Sequence, residues 1–139
     1  MAIGEKSGRT TLFLPHGLGA WSTNATRSPE LAETFHALFS SPKIQIGALD
    51  VQMENLDFLI QKEGFEPPDL IRMDIEGGEL AALQGMARTL ADYSPDLIIE
   101  MLEDQRDELN DFLKYLGYTT YPIGRENRDW YATRKPVGR

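Results

Sequence analysis

The sequence predicts an α/β domain with a mostly parallel sheet whose last strand runs antiparallel. Two observations predict this fold. From residue 69 onward, strand-like apolar runs alternate with helix-like segments, which is the pattern of a parallel sheet covered by helices. The last two strand-like runs are joined by only five polar residues, which is too short for a parallel crossover. The 139 residues correspond to a single domain over 1–139, and the 41% hydrophobic content is ordinary for a folded protein.

The first half of the chain has the weaker patterns. Residues 10–14 are rich in β-branched and aromatic types and predict a strand that Pro15 ends. A loop is expected over 17–28, followed by a helix from Ser28-Pro29 to about Phe39. Residues 43–53 alternate loosely and predict one or two strands.

The second half is more regular. Asn55 is a candidate cap for a short helix that ends near Gly64. The remaining predicted elements are a strand over 70–75, a helical stretch over 79–93 that Gly85 is able to break, a strand over 97–101 covered on both faces, a helix over 104–116, and strands over 118–123 and 129–133.

Composition excludes several classes of function. The net charge of −8 disfavours a nucleic-acid partner, because phosphates would be repelled. The chain has no cysteine, which excludes disulfides, thiolate nucleophiles and cysteine zinc sites. No apolar run approaches a signal peptide or the roughly 20 residues of a membrane span, so we expect no membrane partner and a cytoplasmic location.

Acidic residues follow two of the predicted strands. Asp74, Glu76 and Glu79 come after the strand at 70–75, and Glu100 ends the next strand. Because parallel strands end at one edge of a sheet, these acids predict a single site. Two carboxylates about 6 Å apart repel by roughly 2.8 kcal/mol at an effective dielectric near 20. The cluster therefore favours a sulfonium, a divalent ion, or the hydroxyls of a sugar or polyketide.

A purely structural role is the alternative for the same acids. Asp74 near the cap, with Glu76 and Glu79 in the first turn, would complement the positive end of the following helix. Such a placement contributes about 0.3–1 kcal/mol per residue. This alternative is strongest for Glu79.

Three other features are weaker candidates. The glycines of residues 17–22 do not fit a dinucleotide fingerprint, since no helix opens directly after them and no acid follows at the required distance. His16 and His36 have no spaced partner, so neither is expected to bind a metal, although His16 falls in a predicted loop. Trp21 is a candidate for lining a substrate pocket.

A longer motif surrounds the acids at the predicted strand ends. It consists of Pro68-Asp69-Leu70-Ile71-Arg72-Met73-Asp74-Ile75-Glu76-Gly77-Gly78-Glu79-Leu80, Leu83-Gln84-Gly85-Met86, Leu90 and Ser94-Pro95-Asp96-Leu97-Ile98-Ile99-Glu100, with Leu56-Asp57, Leu116-Gly117-Tyr118 and the opening stretch Ala2-Ile3-Gly4-Glu5-Lys6-Ser7-Gly8 in support. In these residues the chain resembles the FkbM family of S-adenosylmethionine-dependent methyltransferases.

The resemblance implies the C-terminal part of a class I methyltransferase, a Rossmann-like three-layer α/β sandwich. It implies methyl transfer from S-adenosylmethionine to a hydroxyl of a small molecule, such as a sugar or secondary metabolite. Asp74 and Glu76 would be catalytic, Asp74 by orienting or deprotonating the hydroxyl. The implied substrate contacts are Glu79, Glu100 and Trp21, and the implied cofactor contacts are Ala2 and Ile3. Magnesium held by Asp74 with Glu100 is an alternative use of the acids.

One departure from the family limits the expected activity. Members of the family begin with a strand and a glycine-rich turn that hold the cofactor, and no such turn is found in this sequence. We therefore expect the 139-residue chain to bind the cofactor weakly or not at all. The alternative function is a non-catalytic interaction module that dimerises through an unpaired sheet edge near the first residues.

Overall fold

The computed structural model describes residues 1–16, 26–27, 30, 33, 45–124 and 128–136. The strands are β1 (Ala2–Ile3), β2 (Gly8–His16), β3 (Gln45–Glu54), β4 (Leu70–Met73), β5 (Asp96–Glu100), β6 (Thr119–Ile123) and β7 (Asp129–Thr133). The helices are α1 (Leu56–Glu63), α2 (Glu79–Gln84), α3 (Ala87–Tyr93) and α4 (Arg106–Tyr115). Most of the predicted loop over 17–28 and helix over 29–39 lies outside the described residues.

The first sheet has three strands in the order β1-β3-β2. β1 is parallel to β3, and β2 is antiparallel to β3 along its whole length. Two expectations are wrong here: Pro15 does not end the strand, and His16 lies in β2 rather than in a loop. Proline is tolerated because, among the strands that the structure describes, β2 lies at the edge of its sheet, where a missing N–H breaks no internal ladder. Residues 45–54 form one strand, within the predicted range of one or two.

The second sheet has four strands in the order β4-β5-β7-β6. β4 and β5 are parallel, whereas β7 is antiparallel to both of its neighbours, as predicted for the last strand. The expectation of a mostly parallel sheet is confirmed only in part: β1–β3 and β4–β5 are parallel pairs, but both sheets are mixed. The physical reason is the short return from β6, which forces an antiparallel pairing.

The hydrophobic core lies on one face of the four-stranded sheet. The sheet contributes alternate residues that share this face, and helices α2 to α4 contribute the residues that cover it: Met73, Leu97, Ile99 and Ala132 from the strands, and Ala82, Leu83, Leu90, Leu109 and Leu113 from the helices. On the opposite face Leu70 is 54% exposed, and Ile98 is only partly buried. The described residues therefore form two layers rather than the expected three, and β5 is buried on one face only.

Helix boundaries follow local chemistry. Asn55 caps α1 by accepting a hydrogen bond from the Phe58 N–H at 2.7 Å, and Gly64 ends the helix with a left-handed φ of 71°, both as predicted. The predicted break at Gly85 is also present, between α2 and α3. A Cβ at Gly85 would lie 2.0 Å from the carbonyl oxygen of Gly4, so only glycine allows β1 to pack this closely. No helix within the described ranges is long and apolar enough to cross a bilayer.

Candidate active site

Three carboxylates converge where β4 and β5 end. Asp74 follows the last residue of β4, Glu76 lies two residues further, and Glu100 is the last residue of β5. One carboxylate oxygen from each lies within 4.8 Å of the others. The parallel register of the two strands, which pairs Met73 with Ile99, brings the acids together from positions 26 residues apart in sequence.

The loop between β4 and α2 has a special backbone conformation. Glu76 has a φ of 53° and Gly77 a φ of 90°, both in the left-handed region. This region costs a non-glycine residue about 1–3 kcal/mol, so the surroundings must hold it in place. Thr26, which is 1% exposed, donates a hydrogen bond from its hydroxyl to the Glu76 carbonyl at 2.9 Å. A residue fifty positions upstream thus fixes the backbone of the cluster.

Glu79 differs from the three converging acids in being buried. Its side chain is 1% exposed, and one carboxylate oxygen accepts a hydrogen bond from the Ile75 N–H at 3.0 Å. This contact closes the first turn before α2 and matches the structural alternative for this residue. Glu79 therefore acts as a support beneath the loop, and contact with a substrate remains a prediction.

Mutual repulsion and burial set the electrostatics of the cluster. Burial raises the pKa of Glu76, and the nearby Glu100, Asp74 and Glu79 raise it further. Burial also raises the pKa of Glu100, which Arg128 partly opposes through a salt bridge. Both carboxyls consequently hold protons more tightly than ordinary glutamates. A bound cation or a hydrogen-bond donor would relieve the same repulsion.

Two arginines border the cluster. Arg72 lies 3.2 Å from Asp74 and keeps 66% of its side chain exposed, so this ion pair contributes little to stability. Arg128, which pairs with Glu100, immediately precedes β7. Sequence reasoning assigned no role to Arg128 or to Thr26. The sequence placed Arg128 in a predicted turn before an antiparallel strand. That position indicates proximity to Glu100 only once the register of β5 and β7, which pairs Glu100 with Asp129, is known.

An apolar groove of about 380 Å³ runs along the outer side of β4. Its lining residues are Ile3, Leu56, Pro68, Leu70, Ile71, Arg72, Met73, Ile75, Ala82 and Met86. Of the two expected cofactor contacts in β1, Ile3 lines this groove, and Ala2 is its neighbour in the strand. Trp21, His36 and the glycines of residues 17–22 lie outside the described residues.

The architecture is that of an α/β protein with a cluster of three acids at the ends of two parallel strands, the edge at which such folds bind ligands. Residues 1–120 match the sequence model of the Methyltransferase FkbM domain. Because the match covers most of the chain, the chain belongs to the FkbM methyltransferase domain family, and the resemblance carried by its motif residues is confirmed.

A crystal structure of Methyltransferase FkbM from Methylobacillus flagellatus KT is similar to the chain. The two share 21% sequence identity with a TM-score of 0.49. The similarity covers 94% of this chain and 26% of that one, so the chain spans about a quarter of the other protein's length. The comparison with curated proteins gave no match.

Proposed function

We propose that the chain forms the acceptor-binding side of an S-adenosylmethionine-dependent O-methyltransferase. The observation that carries the proposal is the convergence of the Asp74, Glu76 and Glu100 carboxylates within 4.8 Å at the strand ends of an FkbM-family fold. Such a cluster can accept hydrogen bonds from an acceptor hydroxyl and take up its proton. Family membership gives no comparable support to the alternative of a non-catalytic interaction module.

The three carboxylates would have different roles because their exposure and pKa values differ. Asp74, 40% exposed on its side chain, is accessible to an incoming hydroxyl and would orient or deprotonate it. Glu76 and Glu100 have raised pKa values and would share the proton released from the acceptor. A hydroxyl bound between the carboxylates would donate a hydrogen bond to one of them and so relieve their mutual repulsion. The acceptor class that fits is a small polyhydroxylated molecule, such as a sugar or a hydroxylated secondary metabolite.

The described residues fit the cofactor in part. When bound, S-adenosylmethionine supplies an electrophilic methyl group attached to a positively charged sulfur. The carboxylate cluster suits that positive charge, and Ile3 with Leu56 and Leu70 offers apolar surface for a flat aromatic base. The chain's own contributions to the reaction would be to align the acceptor and to accept its proton.

A hard cation is the second possible occupant of the acids. Magnesium prefers carboxylate oxygens and keeps several waters, and three such oxygens lie close enough together to share one ion. Magnesium would then hold the acceptor hydroxyl in place of a direct contact with Asp74. A titration with magnesium, followed through the amide resonances of Ile75 and Gly77, separates the two arrangements.

The test measures methyl transfer by mass spectrometry with a panel of hydroxylated acceptors. It uses the 139-residue chain and any longer polypeptide that carries it. We expect Asp74→Asn and Glu76→Gln each to lower kcat/KM by about 100- to 10,000-fold, as for loss of a proton acceptor. Glu103→Gln, an exposed acid in the turn after β5, is the matched control and should leave the rate unchanged. Wild-type rates in the Asp74 and Glu76 variants would refute the proposal.

A further inference from the structure

Glu76 has a backbone conformation that suits glycine better than glutamate. Its φ of 53° lies in the left-handed region, and the next residue, Gly77, continues in that region with a φ of 90°. A glycine at position 76 would adopt this conformation without strain. Strain of this kind is concentrated at active sites and ligand-binding loops, where the surrounding structure must hold it in place. The contacts that hold Glu76 are therefore part of the acidic site.

Two buried side chains hold the backbone before and after this strained position. The Glu79 carboxylate accepts a hydrogen bond from the Ile75 N–H at 3.0 Å and so holds the peptide group that follows Asp74. The Thr26 hydroxyl donates to the Glu76 carbonyl at 2.9 Å and so holds the peptide group that follows Glu76. Glu79 and Thr26 are each 1% exposed, so water does not compete freely for either bond.

The two bonds restrict the direction of the Glu76 side chain. Because each peptide group is planar, only the φ and ψ angles of Ile75 and Glu76 lie between the two groups that are held. The direction in which the Glu76 side chain leaves the backbone is therefore set relative to Asp74. In this arrangement one oxygen each of Asp74, Glu76 and Glu100 lies within 4.8 Å of the others. A negative φ at Glu76 would turn its side chain in a different direction and open the cluster.

We propose that Thr26 and Glu79 are positioning residues that together keep the Glu76 carboxylate beside those of Asp74 and Glu100. Both act through the backbone of the loop, so the role requires no contact between either side chain and an acceptor. The benefit to methyl transfer rests on the proposed function, whereas the effect on the geometry of the cluster does not.

Thr26 is itself held in place by the residue that follows it. Arg27 forms a salt bridge with Glu5 at 3.1 Å and donates from its Nε to the Thr10 hydroxyl at 3.3 Å. Glu5 follows β1 and Thr10 lies in β2, so these contacts attach residues 26–27 to the three-stranded sheet. The clustered carboxylates come from the four-stranded sheet and the loop after β4. The geometry of the cluster therefore depends on contacts with the other sheet.

NMR spectroscopy of the 139-residue chain tests the Thr26 contact. A left-handed φ brings the amide and α protons of a residue close together, so Glu76 should show a strong nuclear Overhauser effect between them. Thr26→Val keeps the shape of the side chain but removes the donor, and should weaken this signal as Glu76 relaxes to a negative φ. Thr26→Ser keeps the hydroxyl and should preserve the signal. An unchanged Glu76 signal in Thr26→Val would overturn the proposal.

Thr89→Val is the matched control for this measurement. Thr89 is 2% exposed, and its hydroxyl donates to Asp57 instead of to the loop. The variant should lose stability and leave the Glu76 signal as it is in the wild type. A weakened Glu76 signal in Thr89→Val as well would show that any buried threonine has this effect, and would count against a positioning role for Thr26.

Variants of Glu79 test the other contact and decide the matter even where Thr26→Val does not fold. Glu79→Gln keeps an oxygen that can accept from the Ile75 N–H, whereas Glu79→Met has a similar length and no such acceptor. The Ile75 amide should exchange faster with solvent in Glu79→Met than in Glu79→Gln, and the Glu76 signal should weaken only in Glu79→Met. Equal Glu76 signals in the two variants would overturn the proposal.

Kinetics measures what the positioning contributes to catalysis, in a polypeptide that carries this chain and transfers methyl groups. Thr26→Val should lower kcat by about 10- to 100-fold with little change in KM, because a displacement of about 1 Å near the reacting groups has an effect of this size. Thr26→Ser should recover most of the rate, and Thr89→Val should retain it. A wild-type kcat in Thr26→Val would overturn the catalytic role. Absence of methyl transfer in the wild type would refute the proposed function alone, since the NMR signals decide the geometry independently.

Discussion

The carboxylate of Asp57, in the first turn of α1, caps α3 by accepting hydrogen bonds from both the N–H and the hydroxyl of Thr89. The distances are 2.8 and 2.6 Å, and the second carboxylate oxygen accepts from the Arg88 N–H at 3.0 Å. The residue before α3, Met86, has no side chain able to cap the helix. The free N–H groups at the start of α3 therefore find their acceptor in a residue 32 positions before Thr89, and this contact joins α1 to α3.

Replacing Asp57 by alanine should destabilise the chain by about 1–3 kcal/mol, because the cap is lost and the buried Thr89 hydroxyl is left without its acceptor. The measurement is urea denaturation. Asp92→Ala, an exposed acid in the last turn of the same helix, is the matched control and should change the unfolding free energy by less than about 0.5 kcal/mol. Equal losses in the two variants would contradict the capping role.

Gly85→Ala should detach β1. The added Cβ would meet the Gly4 carbonyl oxygen at 2.0 Å, and both sides of this contact are backbone. Overpacking of this kind costs about 1–3 kcal/mol or more. Hydrogen exchange should show faster exchange of the Gly4 N–H, which donates to the Glu54 carbonyl at 3.0 Å. Gly64→Ala serves as control: its φ of 71° makes the change unfavourable, but with no atom within 4 Å it should leave Gly4 protected.

Stability should fall as pH rises through the titration of Glu76. Burial and neighbouring acids raise its pKa above the ordinary 4.5 when the chain is folded. Between 4.5 and the raised value, the folded chain binds more protons than the unfolded chain, so the free energy of unfolding decreases with increasing pH. Glu76→Gln should flatten this slope in urea denaturation series, whereas Glu103→Gln should preserve it. An unchanged slope in Glu76→Gln would argue against the repulsion.

Tyr118→Phe should lower stability by about 0.5–1.5 kcal/mol, since the buried hydroxyl donates to the Pro95 carbonyl at 2.9 Å. Burial also raises the pKa of Tyr118 to about 12. The unfolded chain ionises this tyrosine first, so its contribution is lost as pH rises from about 10 toward 12. Tyr115→Phe is the control, because that side chain is 86% exposed. Similar alkaline denaturation of both variants would count against the prediction.

Features set by neighbouring residues were predictable from the sequence. The Asn55 cap, the Gly64 stop and the break at Gly85 each depend on one residue type within one turn of the chain. The antiparallel pairing of β6 and β7 followed from their short connection. The position of the acids after apolar runs likewise indicated strand ends, because strand and acid are adjacent in sequence.

Features set by distant residues were not predictable. Nothing in the local pattern of Thr26 indicates its bond to the Glu76 carbonyl, and nothing around Asp57 indicates that it caps α3. The strand predicted over 70–75 is shorter in the structure: it ends at Met73, and Leu70 is 54% exposed. Apolar composition alone does not say which face of a sheet is covered, because that depends on where the helices pack.

The position of Thr26 links the acidic cluster to a distant part of the chain. Its backbone exchanges two hydrogen bonds with Phe13 of β2, at 2.8 and 3.1 Å, and its hydroxyl donates a hydrogen bond to the Glu76 carbonyl. Through Thr26, the antiparallel pair of β2 and β3 is therefore connected by hydrogen bonds to the loop that carries Glu76. We therefore expect a ligand or partner that bends this ribbon to shift the loop of Glu76, and with it the distances between the clustered carboxylates.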